Sequence, residues 1–203
     1  MKNSDSLVPA SADPKKLLSY QKADTIFQIT YYFAVNYLAK GDRTVDQMIQ
    51  AARSGKQNIV EGCAAAPTST KTELHLLNVA KASLKEVLAD YEDYLNTRGF
   101  ARWEKGSKEY EKMRELGATH NDPDFFMELI RTRPPHTIAN MAIILLNQAD
   151  YLLHRQIQRR ADDFLKNGGF SERMHRLRSQ SRGTPANRTN PPHVTGNPNR
   201  HKS

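Results

Sequence analysis

Three groups of residues have the types and spacing that chemistry needs. Asp150 and His154 stand four apart, the interval that sets two metal ligands on one helical face. Glu86, Asp90 and Asp93 follow one another at intervals of four and three, and neighbouring carboxylates do acid-base work where a cleft shifts their pKa values. Arg155, Arg159 and Arg160, followed by Arg173, Arg176, Arg178 and Arg182, are planar, permanently charged forks that suit phosphate. The first two groups lack their complements. A carboxylate carrier of two metals needs a Glu-x-x-His repeat on two helices, and neither that repeat nor a His-x-x-x-His pair is present. Asp150 and His154 therefore read as an exposed or intrahelical hydrogen-bonded pair. The three carboxylates read as a solvated acidic stripe, with a subunit contact as the alternative.

Two further fragments fail on inspection. Gly55-Lys56-Gln57 has the form of the end of a phosphate-binding loop. However, Gln50 stands where that loop needs a glycine, no Ser or Thr follows the lysine, and mid-helix amides are already bonded. Ser54 has neither a histidine nearby nor a strand-to-helix elbow. No catalytic residue, metal site or cofactor is expected, and the basic residues carry the functional signal. After Glu172 the chain holds seven basic residues and no acidic one, a charge of +7, which leaves +1 of the total +8 for the first 172 residues. An acid-free arm of this kind holds a polyanion electrostatically and with weak sequence selectivity, since no aromatic residue is interleaved in it for base stacking.

The elements that must carry these residues are helical. Apolar residues at spacings of three and four mark helices over about 15–40, 43–64, 70–98 and 134–166. Gly41 and Asp42 separate the first two, and small residues at Ala51, Ala52, Ser54 and Gly55 suit close approach of another helix. Thr70 and Glu73 have the form of a capping box opening the third helix. The insert over 100–133, broken by Gly106, Gly117 and Pro123, predicts two short helices over 104–116 and 123–130, the second capped by Asp122. No segment alternates as a strand does. The fold expected is all-α, an antiparallel up-down four-helix bundle with a short helical insert between helices 3 and 4. A flexible leader over 1–14 precedes the bundle over 15–170, and a basic, mostly disordered tail over 171–203 follows it, with a short helix as far as Arg178 at most. The lone Cys63 excludes an internal disulfide and a cysteine-based zinc site, and no apolar run is long enough for a signal peptide or a bilayer. The chain reads as cytoplasmic, with no membrane partner.

Ser19-Tyr20-Gln21-Lys22-Ala23, Gln47 to Ser54 followed by Asn58-Ile59-Val60-Glu61-Gly62, and Leu77-Asn78-Val79-Ala80 with Ala82 to Glu86 resemble the four-helix bundle family of 23S ribosomal RNA intervening-sequence proteins. That family includes the accessory variability determinants of diversity-generating retroelements. The resemblance covers 17–96 by motif and 134–165 by position, and the insert with the basic tail looks like its suffix-domain variant. It implies a homopentameric barrel without catalytic activity that binds RNA or other nucleic acid and a reverse transcriptase. Arg53, Asn58, Glu61 and Gly62 of the matched region read as structural or subunit-interface residues. The alternative is a protein-interaction or assembly module with no direct nucleic-acid role.

Overall fold

The computed structural model describes residues 13–183, which form helices joined by turns, with no strand among the described residues. Its helices are α1 (Leu18–Tyr37), α2 (Arg43–Ala65), α3 (Thr70–Thr97), α4 (Lys108–Thr119), α5 (Pro123–Ile130), α6 (Pro135–Asn167) and α7 (Phe170–Gly183). α1 and α3 each pack against α2 and α6, α4 lies on α6, and α5 lies on α1. The fold is bundle-like, and no helix among the described residues is long and apolar enough to cross a membrane.

Caps set most of the boundaries. The side chains of Asp42, Ser69, Ser107 and Asp122 each accept a hydrogen bond from an amide in the first turn that follows. Four sequence expectations change here. α1 begins at Leu18, because Asp13 caps a 3-10 turn over Pro14–Lys16 and Leu17 is extended. Ser69 is the cap of α3, so Glu73 does not close a capping box and is available for another partner. Gly117 lies inside α4, where a β-carbon would stand 2.2 Å from Gln148 Oε1 and 2.9 Å from Leu145 Cδ2. Glycine there lets α4 lie close to α6, and a larger residue would push aside the ends of the Gln148 and Leu145 side chains. The tail is helical as far as Gly183: the chain turns at Gly168 (φ 71), and the Glu172 carboxylate accepts from the Gly169 amide at 3.0 Å. Residues 1–12 and 184–203, which hold most of the expected leader and the rest of the expected disordered tail with Arg188, Arg200 and Lys202, lie outside the described residues.

The core runs the length of the bundle through Ile26, Ile29, Phe33, Ile59, Leu77, Tyr91 and Leu145. Each buries a side chain worth about 1.5–3 kcal/mol of transfer free energy. Gly55 brings α2 onto α3, since a β-carbon would stand 2.6 Å from Leu84 Cδ2. The small residues at the middle of α2 thus do what their sizes suggested. The insert is part of the same core: Met113 of α4 and Phe126 and Ile130 of α5 are buried in it.

One buried cation ties the insert down. Lys22 is 1% exposed, and its Nζ donates to the carbonyls of Gly117 and, at 3.1 Å, His120, 5.6 Å from the centre of the Phe126 ring. These carbonyls belong to the end of α4, where the helix dipole is negative and the last C=O groups have no intrahelical donor. A lysine on α1 therefore caps a helix nearly a hundred residues away in sequence. Lys22 carries no sequence signal of burial, since Leu18 one turn before it is 51% exposed.

Candidate nucleic-acid interface

The C-terminal half of α6 touches the core through Leu153 and Ile157 and turns most of its other residues, largely polar, to solvent. Tyr151, Arg155 and Arg159 succeed one another at intervals of four, all exposed, with the Arg155 guanidinium 5.8 Å from the centre of the Tyr151 ring. Beyond them Arg155, Arg159, Arg160 and Lys166, with Asp162 and Asp163, surround an open depression of about 510 Å³. α7 leaves this corner through Gly168, against which the Arg176 guanidinium lies, and Arg178 is exposed further along it. Arg173 and Arg182 take helical positions on α7. The structure thus carries the two arginine groups on consecutive helices, α6 and α7.

Arg160 is different from its neighbours. Its Nε and Nη2 donate to both oxygens of Glu73 at 2.8–2.9 Å, and Nη1 donates to Asp163 at 3.1 Å. Glu73 is only 4% exposed, and its hydrogen bonds hold the guanidinium above its ordinary pKa. The donors expected to meet phosphate are largely committed to carboxylates, so Arg160 is a structural clasp between α6 and α3. Arg155 and Arg159 form no ion pair among the described residues, and they are the two α6 arginines left to meet a ligand.

No protein-family model, curated protein or solved structure matches the chain.

The α2 stretch that carries the sequence resemblance is partly exposed. Arg53 and Glu61 are exposed, and Glu61 accepts only from Gln57 at 3.4 Å. Asn58 donates to Ser54 O at 2.9 Å and Ser54 Oγ at 3.2 Å, and Ser54 in turn meets Ser83 across the α2–α3 contact at 3.0 Å. Gly62 is buried facing α3, where a β-carbon would meet the Glu73 carbonyl oxygen at 3.5 Å and Leu77 Cγ at 3.6 Å, ordinary van der Waals distances. Gly62 and Asn58 therefore serve the α2–α3 packing, while Arg53 and Glu61 face solvent on a single chain.

Asp150 does not pair with His154. Its carboxylate lies 3.5 Å from Lys81 Nζ and 4.0 Å from Lys85 Nζ, while His154 is exposed, and no cluster of three potential metal-ligating groups occurs among the described residues. The carboxylate group sits elsewhere. Glu86 and Asp90, with Gln47, Gln50, Ser54 and Ser83, line an open groove of about 480 Å³ between α2 and α3. Glu86 and Asp93 are exposed and Asp90 is half-buried, so the stripe is solvated at two of its three positions.

Burial first, then the charges of Asp93 and Glu86, push Asp90 up from 3.8 to about 6. A raised carboxyl pKa stabilises the folded state below the ordinary value and loses that contribution as pH rises through about 6, so ionised Asp90 is unfavourable at neutral pH. Asp90→Asn is expected to raise the unfolding free energy by about 1–2 kcal/mol at pH 7, the groove's solvent reducing the full effect, and to change little at pH 4. Urea denaturation of both chains across this range measures the difference.

Proposed function

We propose that the protein is a non-enzymatic nucleic-acid-binding scaffold whose ligand lies along Arg155 and Arg159 of α6 and along the arm that begins with α7. The observation that carries this reading is the pair of exposed arginines, one beside an exposed tyrosine, running into a segment of +7 without an acidic residue. Phosphate contacts supply affinity that falls with salt, and Tyr151 offers a base the stacking platform that the arm itself lacks. The four long helices are read as an up-down four-helix bundle of the ribosomal RNA intervening-sequence type. In the setting that the resemblance suggests, the protein is an accessory factor that brings RNA to a reverse transcriptase in a diversity-generating retroelement. A homopentamer would multiply modest contacts through avidity.

The test is RNA binding of the intact chain, of Arg155→Gln/Arg159→Gln, and of a chain truncated after Glu172. Neutralising two phosphate contacts is expected to lower affinity about 10–100-fold at moderate salt and to reduce the slope of log affinity against log salt by about 1.4–1.8 units. Unchanged RNA affinity in both altered chains refutes the reading. A second reading, an assembly module with a protein target, is favoured by the exposed Tyr31 and Val35 on α1, each 54% accessible. Capture of its partner would then survive nuclease and high salt.

A further inference from the structure

At the other end of α6 from the basic corner, a file of aromatic rings comes to the surface. Tyr94, near the end of α3, is buried with its ring nearly perpendicular to that of Phe33 in the core, 4.8 Å between centres. The Phe100 ring follows at 6.3 Å with its plane 27° from that of Tyr94, and the ring of His136, in the first turn of α6, lies 5.0 Å beyond at 29°. These are offset-stacked spacings. Asn140, only 1% exposed, holds the loop in place: its amide group donates to the carbonyls of Ala101 at 3.1 Å and His136 at 3.0 Å, and its oxygen accepts from the Trp103 amide at 2.8 Å. Phe100 is nevertheless 37% exposed.

Cations flank this file. The Arg98 guanidinium lies 4.2 Å from the centre of the Tyr94 ring, and Arg131 and Arg133 stand on the turn that leads into His136. All three are exposed and form no ion pair among the described residues. Of the acids at this end, Glu92 is paired with Arg102, and Asp42 accepts from the Thr44 amide at 2.9 Å.

We propose that this end of the molecule is a second nucleic-acid contact, a platform on which an unpaired base stacks against Phe100 while Arg98, Arg131 and Arg133 hold the neighbouring phosphates. The platform rests on the nucleic-acid reading above for its class of partner, but it uses none of the same residues. A phenyl ring accepts the π-face of any base, and guanidinium groups beside it track the backbone. In a duplex the faces of a base are occupied by its neighbours, so the platform selects single strands, a preference that phosphate contacts alone do not create. His136 and Arg155 are nineteen residues apart on α6, about 28 Å at the rise of an α-helix, so a strand that reaches both sites is held by phosphates at one and by an unpaired base at the other.

The experiment is fluorescence anisotropy of a mixed-sequence RNA of about twelve nucleotides, single-stranded and as a duplex, across a range of salt. The full-length wild type is compared with Phe100→Leu, Phe100→Tyr, Arg131→Gln/Arg133→Gln and Arg155→Gln/Arg159→Gln. Leucine keeps an apolar side chain in the loop without the aromatic face, and the emission of Trp103, the only tryptophan, checks that the loop stays folded. Phe100→Leu is expected to weaken single-strand binding about tenfold with an unchanged salt slope and to leave duplex binding as it was, while Phe100→Tyr retains wild-type affinity. Arg131→Gln/Arg133→Gln is expected to reduce the slope of log affinity against log salt by about 1.4 units for the single strand. Wild-type single-strand affinity in Phe100→Leu, or an equal loss on the duplex, overturns the proposal. Loss in Arg155→Gln/Arg159→Gln alone leaves the α6–α7 interface standing without the platform, loss in the platform variants alone does the reverse, and a wild type that binds no RNA overturns both.

Discussion

Lys22→Glu is expected to lower the unfolding free energy by about 4 kcal/mol or more, since it buries a carboxylate against carbonyl oxygens at the negative end of α4. Urea denaturation measures the loss, and hydrogen exchange should show it first at the end of α4 and the start of α5, the junction that Lys22 ties to α1. Lys22→Met separates charge from volume. It leaves two carbonyls without their donor, at about 1–3 kcal/mol each, but removes the cost of burying an ammonium group, so its net effect is smaller. Burial lowers the Lys22 amine from 10.5 to about 8. A lowered pKa means that this group's contribution is present above the ordinary value and is lost as pH falls through about 8. The wild type should therefore gain on the methionine variant as pH rises from 8 to 10.5, with a slope of at most about 1.4 kcal/mol per pH unit. A pH-independent difference between the two chains would show that Lys22 is not buried as an ammonium.

Arg160→Met is expected to destabilise the fold by about 3 kcal/mol, because it leaves the carboxylate of Glu73 buried without its three hydrogen bonds. The expected effect on RNA affinity is small beside that of Arg155→Gln/Arg159→Gln, and this contrast distinguishes a clasp from a ligand-binding group. Glu73→Gln should cost less than Arg160→Met, since Arg160 is about a third exposed and retains Asp163. Combining the two changes should recover part of the loss. A double-mutant cycle with a coupling of about 1–3 kcal/mol would establish the clasp, and additive losses would show that the two side chains act independently.

These two residues also mark the limits of what could be read from the chain. The bounds expected from periodicity and caps, 43–64, 70–98 and 123–130, lie within a residue of α2, α3 and α5, because their signals are local: Asp42 and Asp122 bond amides two residues on. α1 departs from its expected start for an equally local reason, the 3-10 turn capped by Asp13. The arginines of the candidate interface were legible by type and spacing. Their division into roles was not, because it rests on a contact between Arg160 and a carboxylate eighty-seven residues away. Glu73, in turn, looked like half of a capping box only because its true partner lies on another helix. In the same way Gly117 looked like a helix breaker until the neighbouring Gln148 showed that it is a spacing residue. Charge and period are properties of a segment, whereas pairing is a property of the packed molecule.

The latch formed by Lys22 recognises main chain, not side chains. Its two acceptors are peptide oxygens, and any residue at position 120 presents one equally well. Position 120 can therefore change its side chain without unfastening the latch, provided that position 117 stays small, Asp122 keeps its cap on α5 and the last turn of α4 keeps its carbonyls directed at the amine.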